Sequence, residues 1–170
     1  MTLMTRRALL RSTALVPVAL ALDGCAKLTS VLASLPQYAV DVQKAGALLS
    51  KFVLPALPAL GLAGATLTKV EGWITQAESV AGTIGSAAAA GGTTLVSQLS
   101  SFAGAFNGIA STLGLKLPGD VGLVLQDVAA LLPTILKDAG VNIALSGPAT
   151  AAPMMSAAVA RADMDRLLAS

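Results

Sequence analysis

The sequence predicts an all-α protein: an antiparallel four-helix bundle with a short C-terminal helix, preceded by a cleavable signal segment. Three observations predict it. Apolar residues recur every three or four positions along four long segments, Pro and Gly punctuate the gaps between them, and no stretch of useful length alternates polar and apolar residues as a half-buried strand would. The 170 residues are 55% apolar and 12% charged, a balance too hydrophobic for a disordered chain. A bundle of about 120 residues can form one core. Only three Phe, one Tyr and one Trp are available to fill it, so small residues must let the helices approach closely.

Residues 1–24 carry Arg6, Arg7 and Arg11, then an uncharged apolar run over residues 12–22, then Gly24 before the single cysteine, Cys25. This is the basic, apolar and small-residue order of a secretory signal peptide, with a core too short to span a bilayer and interrupted by Pro17. The bundle is assigned to residues 25–143. Its first helix runs from Lys27 to about Val53, with Leu28, Val31, Leu32 and Leu35 on one stripe, a kink at Pro36, then Val42, Ala45, Leu48, Leu49 and Phe52; Pro55 and Pro58 end it. A second helix starts near Thr68, where Thr68 and Glu71 have the spacing of a capping box, and its stripe is Val70, Trp73, Ile74, Ala77, Ala81 and Ile84. It ends before Gly91 and Gly92.

The third helix covers residues 94–113, with Leu95, Leu99, Phe102, Phe106, Ile109 and Leu113 inward and Gly114 as the stop. A fourth follows the turn at Pro118 and Gly119, with Asp120 as N-cap and Val121, Val124, Leu125, Val128, Leu131, Leu132, Ile135 and Leu136 as its face. Pro133 should bend it or begin a new turn, and Gly140 closes it. A linker over residues 144–155 leads to a loosely attached helix, residues 156–170, bearing Arg161 and Arg166. Gly82, Gly85, Gly104 and Gly108 each cost about 1 kcal/mol against Ala within a helix, and close helix packing is the expected compensation.

The composition also excludes functions. With no histidine, the Ser-His-Asp arrangement and histidine-based metal sites are absent, and one cysteine allows neither an intrachain disulfide nor a CxxC site. A net charge of +2 with dispersed basic residues gives no footprint for nucleic acid. Without residues 1–24 the body keeps eight basic and eight acidic residues and is formally neutral. Glu71 and Glu78, like Asp120 and Asp127, lie two helical turns apart, and the carboxylates read as a solvated stripe near Lys44, Lys69 and Lys137. Trp73 reads as a core anchor. No catalytic residue, cofactor or metal is expected, and the chain reads as not an enzyme.

Residues 79–115 contain no charge, and Gly104 and Gly108 have GxxxG spacing, which packs membrane helices. Gln98, Asn107, the many Ser and Thr, and the break at Gly91 and Gly92 favour an aqueous setting for this stretch. A body that inserts into or perturbs a bilayer is the alternative.

The leader carries two resemblances. Thr5-Arg6-Arg7-Ala8-Leu9-Leu10-Arg11 resembles a twin-arginine export signal, with Leu9 where Phe is usual; the general secretory route with two adjacent arginines is the other reading. Leu22-Asp23-Gly24-Cys25 is similar to the lipobox of bacterial lipoprotein precursors, with Asp23 where Ala, Ser or Thr is usual. That resemblance implies lipid attachment to the Cys25 thiol, cleavage before it in the region of Leu22, Asp23 and Gly24, and recognition of the leader through Arg6 and Arg7. It further implies an exported protein anchored on the periplasmic face of the cell envelope, with the outer membrane favoured because Ala26 is not the Asp that retains enteric lipoproteins at the inner membrane. The expected partners are membrane lipid, through Cys25, and an envelope protein whose identity the sequence does not give. The expected function is that of a structural or protein-interaction component.

Overall fold

The computed structural model describes residues 36–90, 92–141 and 155–170. Among the described residues every regular element is helical, so the protein is all-α. The start of the first predicted helix, with Leu28, Val31, Leu32 and Leu35, lies outside them.

Helix α1 occupies residues 36–56 and contains a π-helical turn, Leu49–Val53. Pro55 accounts for that turn. A proline ring collides with the carbonyl four residues earlier, here Lys51, and a widened turn at that point relieves the collision. The chain then closes on Gly61, at φ 76°: Gly61 N–H donates to the Pro58 carbonyl and Leu62 N–H to that of Leu57, the paired bonds of a Schellman motif.

Helix α2, Gly64–Ala90, begins a full turn before the predicted capping box. Gly64 takes φ 58°, and the helix continues through Thr68, whose hydroxyl donates to the Gly64 carbonyl at 3.4 Å and so caps nothing. Helix α3 is Gly92–Leu113, and its end at Gly114 has φ 76° with a single N–H bond back to Ala110. Helix α4, Gly119–Asp138, corrects the predicted N-cap: extended Pro118 occupies that place without a side-chain cap, and Asp120 sits in the first turn, where a negative charge suits the helix dipole. The helix passes through Pro133 without interruption and finishes in a second Schellman motif at Gly140, which brings Val141 onto Leu136, both buried. Helix α5, Ala157–Ala169, is capped by Ser156, whose Oγ accepts from the Val159 N–H. Apart from residue 155, the predicted linker lies outside the described residues.

Helices α2 and α3 form an antiparallel pair of fixed register. The Trp73 ring lies against Gly108, and Thr83 Oγ1 is 3.5 Å from Gln98 Oε1, so ten residues up one helix match ten down the other. Helix α1 also runs opposite to α2, since Ser50 meets Glu78 and Gln43 approaches Gly85. The core contains Phe102, Phe106, Leu48, Leu49, Ile74, Ile84, Leu99, Ile109, Leu125, Leu131 and Leu132, all of them on the predicted stripes.

The predicted close-packing glycines divide. A Cβ on Gly108 would come within 2.6 Å of the Trp73 ring, whereas Gly82 and Gly104 face open space, so the GxxxG spacing does not bring two glycines into one contact. Gly46, which sequence pattern did not single out, has Ala81 only 2.5 Å from where its Cβ would be. Gly122 has no room for a side chain at all, because the Leu117 carbonyl occupies the space.

Candidate functional site

The residues that the sequence nominates for signal recognition, cleavage and lipidation, Arg6, Arg7, Leu22, Asp23, Gly24 and Cys25, all lie outside the described residues. Within the described body the polar chemistry gathers where α5 meets α1 and α4. The helix expected to be loosely attached is packed instead: Ala160, Met164 and Leu167 are buried. Its stripe is short, but charge pairing fixes what apolar area alone would leave mobile.

Asp41 is the centre of that pairing. Its side chain is fully buried, and Arg161 reaches it with both Nε, at 2.8 Å, and a terminal guanidinium nitrogen, at 2.7 Å, on Oδ2. The other oxygen accepts from Gln37 Nε2 at 2.9 Å. The hydrogen bond to Asp41 pushes the Arg161 guanidinium still further above its ordinary range. Two more contacts tie the same helices, an ion pair between Lys44 and Asp165 and a bond from Lys51 Nζ to the Leu167 carbonyl at 3.4 Å. Tyr38 donates its hydroxyl to Asp138 on α4 at 2.7 Å. Asp41, Lys44 and Lys51 thus meet Arg161, Asp165 and Leu167 in the same chain order, so α1 and α5 run parallel.

Asp127 is the exception. It is fully buried on α4, and among the described residues neither carboxyl oxygen has a hydrogen-bond partner. Burial pushes its carboxyl from the ordinary 3.8 up to about 7; the Asp163 charge adds to the rise and Arg166 opposes it. Asp163 and Arg166 themselves pair along α5 at 3.1 Å.

These two aspartates correct the expectation of a wholly solvated set of carboxylates. The signal was present in the spacing. Asp41 stands three residues after Tyr38 and four before Ala45, and Asp127 three after Val124 and four before Leu131, so each falls on an apolar stripe. Trp73 is half-buried, an anchor between helices with Lys69 Nζ 5.3 Å from its ring centroid.

A small gap among Asp41, Val42, Ala45, Phe102, Val128, Leu131, Leu132 and Ile135 has room for about one water molecule, too little for an organic ligand. Among the described residues no group of three or more Cys, Asp or Glu is arranged to hold a metal ion. The arrangement can therefore hold helices together and take up or release a proton at Asp127. Compared with known proteins, the chain matches no protein family, and no curated protein or solved structure is significantly similar to it.

Proposed function

We propose that the chain is a lipid-anchored helical protein of a bacterial cell envelope, a structural or protein-interaction component without catalytic activity. The observation that carries this reading is the lipobox-like Leu22-Asp23-Gly24-Cys25 placed where a signal peptide ends. A formally neutral, all-α body is what such an anchor would carry, and the opposed directions of α1 and α2 and of α2 and α3 support an antiparallel four-helix bundle as its architecture. Labelled palmitate fed to expressing cells should enter the wild-type protein and not Cys25→Ser; equal labelling of both overturns the anchor.

A second reading has one observation in its favour. Among the described residues α4 alone is long and apolar enough to cross a membrane, by length and composition. More than half of that stretch is buried inside the fold, as in the core helix of a soluble protein, and Asp127 lies within it. Alkaline carbonate extraction separates the readings. Release of Cys25→Ser from membranes supports a tethered body, and its retention supports insertion.

A further inference from the structure

Helix α5 has two kinds of contact with the rest of the body, and they act in opposite senses. Towards α1 it is held by Arg161 on Asp41, Asp165 on Lys44 and Leu167 on Lys51. Towards α4 it covers apolar surface with Ala160, Met164 and Leu167, and in the same interface lies a carboxyl group with no partner. We propose that α5 is a detachable latch over α4, one that stays closed while the Asp127 carboxyl is protonated and opens when it is ionised.

The surroundings of Asp127 determine the direction. From α5 it is faced by Asp163, which repels an ionised carboxylate, and by Arg166, which attracts one but is already paired with Asp163. From α1 the charged groups are Asp41, Lys44 and Lys51, each engaged by α5. Helix α3 carries no charge, and α4 itself offers Asp120, Lys137 and Asp138, of which Asp138 accepts from Tyr38. Among the described residues no donor is placed to solvate a negative charge at Asp127, and water can do so once α5 lifts. The raised pKa follows from the same geometry.

The sign is fixed by linkage. A carboxyl whose affinity for a proton is higher in the closed state loses that stabilisation as pH rises from its ordinary value towards the raised one. With a closed-state value of about 7 and the ordinary value in the open state, the opening equilibrium grows roughly thirtyfold between about pH 5.5 and 8.5.

Amide hydrogen exchange of the full chain, read peptide by peptide and corrected for the intrinsic pH dependence of exchange, tests this. The expected result is a loss of protection of about thirtyfold in α5 across that range, from a level below that of the α2 and α3 amides at every pH, and no pH-dependent loss in Asp127→Asn. Asp163→Asn, at a partly exposed position, provides a second reading that does not require altering the buried group. It should shrink the loss of protection in α5 and end it at a lower pH, because a charge that raises the Asp127 pKa in the closed state has been removed. Constant protection of α5 in the wild type overturns the latch, as does an equal loss in Asp127→Asn, an undiminished loss in Asp163→Asn, or protection of α5 equal to that of α2 and α3.

Discussion

At the scale of single residues, the structure separates glycines that look alike in the sequence. Gly104 and Gly108 are one helical turn apart on α3, yet one faces open space and the other supports the Trp73 ring. Gly108→Ala should therefore lower stability by about 1–3 kcal/mol, because a rigid indole must move away. Gly104→Ala should raise it, by up to about 1 kcal/mol, through helix propensity alone. Urea unfolding of the two variants provides the comparison, and equal effects would contradict the packing of Trp73 on Gly108. The sequence could not make this distinction. Helical spacing tells which face a residue is on, but the neighbour across the interface depends on the axial register of two helices, which no pattern within one helix specifies. The same holds for Asp41 and Asp127. Their spacing placed both on apolar stripes, but only the fold shows that one receives Arg161 and Gln37 while the other receives nothing.

At the scale of elements, the helix ends were more legible than the helix starts. Gly114 and Gly140 end α3 and α4 as their positions imply, since each takes a positive φ that other residues adopt only with strain. Gly61 has that role after α1, three residues beyond Pro58. Gly140→Ala should cost about 1 kcal/mol and fray the last turn of α4, with amide exchange at residues 136–139 rising first. Unchanged protection there would mean that the Val141 contact alone secures the end. The starts expected at Thr68 and Asp120 fall earlier in the structure for a common reason. Capping residues resemble any polar residue near a helix, and at both places glycine permits an earlier beginning, with Gly64 at φ 58° and Gly119 at φ 69°. The C-terminal helix begins at Ser156, where its sequence implies, but its docking is not legible there, because Arg161 and Asp41 are 120 positions apart in the chain.

At the scale of the whole molecule, one buried acid gives stability a pH dependence that runs against the usual carboxylate trend. The rise of Asp127 from 3.8 to about 7 implies that the folded state loses on the order of 4 kcal/mol as pH increases through that interval. Unfolding midpoints should fall between about pH 4 and 7 and then level off, and Asp127→Asn should remove most of the slope. A wild-type midpoint that climbs throughout that interval would place the charge in a more polar setting than the structure does. The antiparallel register of α2 and α3 has a consequence for how such a chain can change over generations. Each inserted residue turns a helix by about 100°. A single insertion between Trp73 and Thr83 would carry one of them away from its partner while the other stayed in place. Between the two contacts an insertion is tolerated only with a matching one between Gln98 and Gly108, so descendants of this chain should differ there by substitution far more than by length.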